Sequence, residues 1–280
     1  SEMCIRDRSI MDYSVLLTVY KSDNPDFFRL SLESMLKQTV PSNDIVIVKD
    51  GPVPNTIQSV IDELAENYPS IHQLQLEKNV GLGLALNKGI KICKNELIAR
   101  MDADDISLPE RCEKQLLLFE QDPELDIVGC PVKEFIGTKD NIVGKRDVPL
   151  DNASIHKYNR RRDPFNHPTV MYRKSKVLKY GPYGDYRKNQ DTDLWIKLLS
   201  NGCKAANCPE YLVMFRFDEG TYKKRKSWIN TKLLIEIRKK AWKDGYCSFI
   251  DYLFVACAQL GVYILPEGFQ KFVYTKILRK

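Results

Sequence analysis

The chain has 280 residues, 43% of them hydrophobic and 29% charged, the composition of an ordinary folded soluble protein, which excludes a disordered chain and a multi-span membrane protein. Lysine and arginine number 43 against 37 acids, a net charge of +6 that is too dilute for a dedicated nucleic-acid binder but suits a negatively charged small ligand or membrane surface. Eight scattered cysteines without a C-x-x-C pair argue for reduced thiols in a cytosolic compartment, not for a disulfide framework or a zinc site.

The first ten residues, Ser1 to Ile10, lack the apolar core of a secretory signal, fit no later pattern, and read as a non-native leader. Tyr13 to Tyr20 is an apolar run of strand formers that stops at the polar turn Lys21 to Asp26. From Pro25, apolar positions Phe28, Leu32, Met35 and Leu36 recur at helical spacing until Thr39, Val40 and Pro41. Asp44 to Val48 is a second buried strand, closed by Lys49, Asp50, Gly51 and Pro52. A helix over Ile57 to Tyr68, a strand over Ile71 to Leu76, a helix over Gly83 to Cys93 and a strand over Glu96 to Met101 follow.

Strands joined by helices of this length run parallel with right-handed crossovers, which predicts an α/β fold with a mostly parallel open sheet flanked by helices. Ligands of such sheets sit beyond the carboxyl ends of the strands, so Tyr20, Asp50 and the acids after Met101 are expected to face one cleft. The second half reads as a helix over Pro109 to Gln121, a strand over Ile127 to Cys130 and loops with short strands from Gly137 to Asn152. A strand over Thr169 to Tyr172, a helix over Thr192 to Ser200 and a strand over Tyr211 to Arg216 complete it.

From Trp228 the chain is helical in character. Phe249 to Leu265 is its most apolar stretch, yet it is short and carries Asp251 and Gln259, which disfavours a spanning helix. Phe269 to Lys280 sets Phe272, Tyr274, Ile277 and Leu278 among lysines and arginines. Residues 249–280 therefore suit peripheral contact with a membrane, packing on the main domain, or a homodimer contact.

Four patterns carry chemistry. Asp102-Ala103-Asp104 with Asp105 follows an apolar strand; three carboxylates in four residues repel one another, and a magnesium or manganese ion bridging to a phosphate offsets that cost. The plainer alternative is that Asp102 or Asp105 caps the next turn. Asp50-Gly51 either contacts a nucleobase or ribose or simply forms a turn. In Asn79-Val80-Gly81-Leu82-Gly83 the glycines allow backbone amides to approach a ligand, without the spacing of a dinucleotide or phosphate-loop motif. Gln190-Asp191-Thr192-Asp193 opens an apolar helix; Asp193 suits a first-turn acid, and Asp191 is the candidate general base.

In the order V-L-L-T-V-Y, I-V-I-V-K-D-G, K-N-V-G-L-G-L-A-L-N, A-R-M-D-A-D-D, N-H-P-T-V-M-Y-R-K and Q-D-T-D-L-W, the chain resembles glycosyltransferase family 2 over Tyr13 to Phe217, and within it bacterial enzymes of surface polysaccharide synthesis. The resemblance implies an inverting enzyme of the Rossmann-like GT-A fold, with a nucleotide-binding half at 11–105, an acceptor-binding half at 106–220 and a helical tail at 221–280. It implies that Tyr20 and Asp50 contact the donor base, Asn79 and Gly81 the nucleoside side, Arg100 and Asp102 the ribose or sugar region, and Ala103 the same donor site. Asp104, with Asp102, would hold Mn2+ or Mg2+ on the diphosphate; His167 either reaches the metal or diphosphate or makes a structural hydrogen bond; and Asp191 would deprotonate the acceptor.

The implied donor is a nucleotide sugar, expected to be a uridine diphosphate sugar, and the acceptor a saccharide that can be lipid-linked. Two departures stand out: Lys49 occupies a position where the family usually has a second acid, and Gln190 replaces the usual Glu before Asp191. A non-catalytic sugar-nucleotide-binding protein is the reading from another class, disfavoured because binding alone needs no base. A sugar-nucleotide pyrophosphorylase would want a glycine-rich, basic loop where T-V-Y-K-S-D-N-P stands.

Overall fold

The first strand, β1 (Tyr13–Val19), is buried at every position but Thr18, as a parallel strand covered on both faces must be. The computed structural model describes residues 11–217 and 227–264; Ser1 to Ile10, expected to be a leader, and the Phe269 to Lys280 segment lie outside them. β1 pairs in parallel with β2 (Asp44–Lys49), which pairs in parallel with β3 (Ile71–Gln75). On its other side β1 pairs in parallel with β4 (Leu97–Met101).

The connections are α1 (Pro25–Leu36), α2 (Asn55–Asn67) and α3 (Leu82–Ile92). Helix α1 starts where it does because Asn24 Oδ1 accepts from the backbone N–H groups of Asp26 and Phe27 at 2.9 and 3.1 Å, with Pro25 opening the first turn. Alternation along the strands builds two apolar layers. Val15, Leu17, Ile45 and Ile47 pack with Phe28, Leu32, Ile57 and Ile61 on one face, and Leu16, Val46 and Val48 with Leu86, Ile90 and Trp195 on the other.

The large sheet is extended by β6 (Leu125–Gly129), β9 (Met171–Arg173) and β10 (Lys204–Asn207) into the order β10-β6-β9-β4-β1-β2-β3. β9 is antiparallel to both its neighbours, so the sheet is mixed at that point and parallel elsewhere. The strand expected at Thr169 begins two residues later, because Asn166, His167 and Pro168 lead into a short 3-10 turn over His167–Thr169. A second sheet runs β5-β11-β7-β8, from β5 (Ile106–Ser107), β7 (Val132–Phe135), β8 (Ile142–Arg146) and β11 (Val213–Arg216).

Helix α4 (Arg111–Gln121) ties the irregular centre together with polar side chains. Buried Arg111 donates Nη2–H to the Arg100 carbonyl at 2.8 Å, and Gln115 Nε2 donates to the carbonyls of Thr169 and Val128 at 2.7 and 3.1 Å. These bonds satisfy backbone groups that the short strand β9 leaves without ladder partners. The fold is completed by α5 (Asn152–Asn159), α6 (Lys174–Tyr180), α7 (Gln190–Ser200) and a terminal pair, α8 (Trp228–Lys243) and α9 (Phe249–Ile264). The pair docks through Ile237, Ala241 and Cys247 against Ile196 of α7. Among the described residues no helix is long and apolar enough to cross a membrane, and all seven cysteines are unpaired.

Candidate active site

The carboxyl ends of β1, β2 and β4 open on a cavity of about 390 Å3, lined by Tyr20, Asp23, Asp50, Asn79, Gly81, Asp102, Ala103, Asp104 and Arg187 among others. The three loops predicted to converge do so, at a volume within the roughly 300–1,000 Å3 of ordinary ligand pockets.

Asp50 is neither a bare turn residue nor a free carboxylate. Its Oδ1 accepts from the Val80 amide at 2.7 Å, and its Oδ2 from the Gly81 amide at 3.0 Å and Asn79 Nδ2 at 2.9 Å. The amides expected to approach a ligand are thus engaged inside the protein: a buried carboxylate at the strand end is the stronger acceptor, and it shapes the loop. Glycine is required at both contacts. Gly51 has φ +87° and a Cβ there would lie 2.7 Å from the Asn79 amide nitrogen, while Gly81 has φ +95°.

The acidic end of the cavity is Asp102 and Asp104 after β4, joined by Asp23 after β1. Burial, with Asp102 adding repulsion, pushes the Asp104 carboxyl up to about 6. Burial also pushes Asp23 up to about 6, with Asp104 and Asp102 contributing and the Tyr20 amide opposing at 2.9 Å. Carboxylates crowded in this way offer hard oxygen donors for a divalent cation that takes its other ligands from a diphosphate and water, so these residues fit Mg2+ or Mn2+. The loop is held from behind, since Ser31 Oγ donates to the Asp102 carbonyl at 2.6 Å and Arg216 Nε to the Asp104 carbonyl at 2.8 Å. Asp105 turns away from the cavity and accepts the Arg216 amide at 2.8 Å.

Arg100 is fully buried and ion-paired with Asp102. His167 does not join the carboxylates of the first cavity. Its Nε2 meets the Tyr183 hydroxyl at 2.9 Å, its ring lies edge-on to Trp195, and burial with nearby Arg100 holds it well below the usual imidazole range, hence neutral. Among the described residues no three His, Cys, Asp or Glu side chains converge on one metal position.

A second cavity of about 680 Å3 adjoins the first, and Leu82, Asp102 and Arg187 line both. Asp191 and His167 line the second, as do Asp163 and Asn166, with Leu234 of α8 and Val262 of α9 forming an apolar side. Asp191 sits at the start of α7, where burial first and Asp163 second push its carboxyl up to about 7, with the Thr192 amide opposing. A carboxylate with that affinity for a proton is matched to general-base work near neutrality. Asp193 pairs with Lys197 at 2.6 Å one turn along the helix, as a first-turn acid does.

The site carboxylates therefore surround two joined cavities and not one. Nothing in the local sequence marks Asp23, Asp163 or Arg187. Asp23 was hidden in a polar turn, and Arg187 in the stretch Gly137 to Lys188, which carries little periodicity.

The family model described as glycosyl transferase family 2 matches residues 14–181, more than half of the chain. An uncharacterized glycosyltransferase of Haemophilus influenzae is 37% identical over 270 residues, 96% of this chain and 100% of that one. The UDP-Gal:alpha-D-GlcNAc-diphosphoundecaprenol beta-1,3-galactosyltransferase of Escherichia coli is 35% identical over 96% of this chain and 97% of its own length. Among solved structures, residues 1–349 of TarS from S. aureus in complex with UDP-GlcNAc align with a TM-score of 0.63 at 18% identity, covering 96% of this chain and 72% of that one. The mannosyltransferase PcManGT of Pyrobaculum calidifontis, in complex with GDP-Man and Mn2+, aligns with a TM-score of 0.64 at 15% identity, covering 94% and 79%. Both likenesses are in the fold.

Proposed function

The chain belongs to glycosyltransferase family 2, and we propose that it is an inverting, divalent-metal-dependent enzyme that moves a sugar from a uridine diphosphate donor to a lipid-linked saccharide of surface polysaccharide synthesis. The observation that carries this reading is the junction of the two cavities at Asp102, Leu82 and Arg187, which brings a donor pocket beside a pocket that holds the candidate base. The E. coli relative, similar along nearly its whole length, uses a UDP-sugar and a diphosphoundecaprenol-linked acceptor, and this supports the choice of donor and acceptor.

In this reading the nucleoside lies along Tyr20, Asp50, Asn79 and Gly81, and the diphosphate lies toward Asp102, Ala103 and Asp104. Asp104 and Asp102 would hold a divalent cation, which when bound would supply charge neutralisation for the leaving diphosphate. Arg187, at the junction, adds a positive charge beside the departing group, and Arg100 fixes Asp102. The acceptor hydroxyl enters from the second cavity and gives its proton to Asp191. Its oxygen bonds to the anomeric carbon from the face opposite the diphosphate, and that bond to the leaving oxygen breaks, which inverts the configuration.

The apolar lining from Leu234 and Val262 suits the lipid end of such an acceptor. Phe249, Ile250, Leu253 and Phe254 of α9 are exposed, with Ile250 at 69%, and Arg161 stacks on Phe254 at 4.8 Å. An exposed apolar stripe on a helix suits a peripheral contact with a membrane, where lipid-linked acceptors reside. A contact between two copies is the competing occupant.

The test is incubation with UDP-galactose and a GlcNAc-diphospho-lipid of short chain, with Mn2+, with Mg2+ and with chelator, the product being assigned by NMR. Transfer with inverted anomeric configuration that stops on chelation is expected. No transfer from UDP-galactose or from other uridine diphosphate sugars would overturn the reading.

A further inference from the structure

Gln190 stands where an acid is usual beside the base, and the fold supplies an acid from elsewhere. Asp163, on the loop after α5, lines the second cavity with Asp191. Its Oδ2 accepts the hydroxyl of Thr192, the residue next to Asp191, at 2.6 Å, and its Oδ1 accepts Nη2–H of Arg238 at 3.1 Å. Arg238 comes from α8, is 2% exposed, and also donates to the carbonyl of Asn159 at the end of α5. A second tie runs beside the first: Asn189, the left-handed residue that starts α7 at φ 58°, donates its Nδ2 to Asn230 Oδ1 of α8 at 3.1 Å.

We propose that Asp163 is a positioning residue for Asp191, and that the Arg238–Asp163–Thr192 chain makes the terminal helix pair part of the catalytic apparatus. The physical basis is the cost of what the chain holds. Arg238 is a nearly fully buried guanidinium, and such a charge persists in a protein interior only when it is paired; its partner is the half-buried Asp163 carboxylate, which lies beside a second carboxylate. With both oxygens engaged, Asp163 fixes the first turn of α7, and its charge beside Asp191 keeps that base proton-hungry. The charged and titratable groups that share the cavity with Asp191 are Asp163 across the turn, Asp102 from the β4 loop, Arg146 of β8, His167 of the 3-10 turn, and Arg187 and Lys188 just ahead of it in the chain, and Tyr183 acts on it from the loop before α7.

The proposal rests on the reading of Asp191 as the base, and the experiment separates the two. Wild type, Asp163→Asn, Asp163→Glu and Thr192→Val are compared in UDP-galactose transfer to the short-chain GlcNAc-diphospho-lipid, in UDP binding by calorimetry, and in the pH profile of kcat. Asp163→Asn is expected to bind UDP as the wild type does. Its kcat should fall by about ten-fold or more, and the acidic limb of the profile should move to lower pH. Asp163→Glu should recover part of the loss, and Thr192→Val should move kcat in the same direction as Asp163→Asn. If Asp163→Asn does not fold, Thr192→Val alone decides.

An unchanged kcat and limb in a folded variant would overturn the positioning role. So would a loss of kcat matched by an equal loss of UDP binding with the limb unmoved, which is the mark of a merely structural residue. A wild type that transfers no sugar would overturn the reaction and the positioning role together, an outcome distinct from an active wild type matched by its variants.

Discussion

Arg187 and Asn79, 108 residues apart in sequence, meet through Nη1–H and Oδ1 at 3.1 Å on the wall of the first cavity. The contact joins the loop ahead of α7 to the loop that Asp50 shapes, so a guanidinium that lines the second cavity also reaches the first. Arg187→Ala should raise KM for UDP-galactose about ten-fold, the worth of one hydrogen bond to a charged group, while the melting temperature stays within a few degrees. Steady-state kinetics with thermal denaturation checks this.

Asp50 holds three donors of the 79–81 loop, and Asn offers one acceptor oxygen in place of two. Asp50→Asn should destabilise the fold by roughly 1–3 kcal/mol and weaken UDP binding through disorder of that loop. Urea denaturation and calorimetry measure the two effects separately.

Seven of the strands and helices around the first cavity are legible in the sequence, because β1, β2 and β4 are continuous apolar runs, β3 alternates and α1 to α3 keep helical spacing. Strand β10, Lys-Ala-Ala-Asn, has no β-branched residue and lies at the edge of the sheet. Strand β8 is mostly exposed and pairs with one neighbour, and α5 spans only 8 residues. These elements are set by tertiary partners and not by local pattern. The same holds in the site. Asp104 and Asp191 stand out as candidates by position after a strand and before a helix, but Asp163 is held by Arg238, 75 residues away, which no spacing rule connects.

The pH dependence has a definite sign. Burial and Asp163 raise the folded Asp191 carboxyl to about 7, while the unfolded group titrates near the ordinary carboxylate value. Between those values the unfolded state binds fewer protons than the native one, so Asp191 makes stability fall as pH rises. Asp191→Asn should therefore melt higher than the wild type at pH 7.5, with the gap closing toward pH 4. Turnover by the wild type should rise with pH through about 7 as the base ionises.

The exposed side chains of α9 give a prediction independent of chemistry. Ile250→Asp with Phe254→Asp should abolish sedimentation with phosphatidylglycerol vesicles and leave transfer to a soluble short-chain acceptor intact. Retained vesicle binding, or a change from dimer to monomer in light scattering, would assign the stripe to another occupant.

The division of labour between the two cavities is tested most directly by kcat for sugar transfer in Asp191→Asn, measured beside its affinity for UDP. A fall of about 10²-fold or more with UDP affinity unchanged is the predicted result, since the donor cavity is intact and only the proton acceptor is lost. Turnover equal to that of the wild type would contradict it.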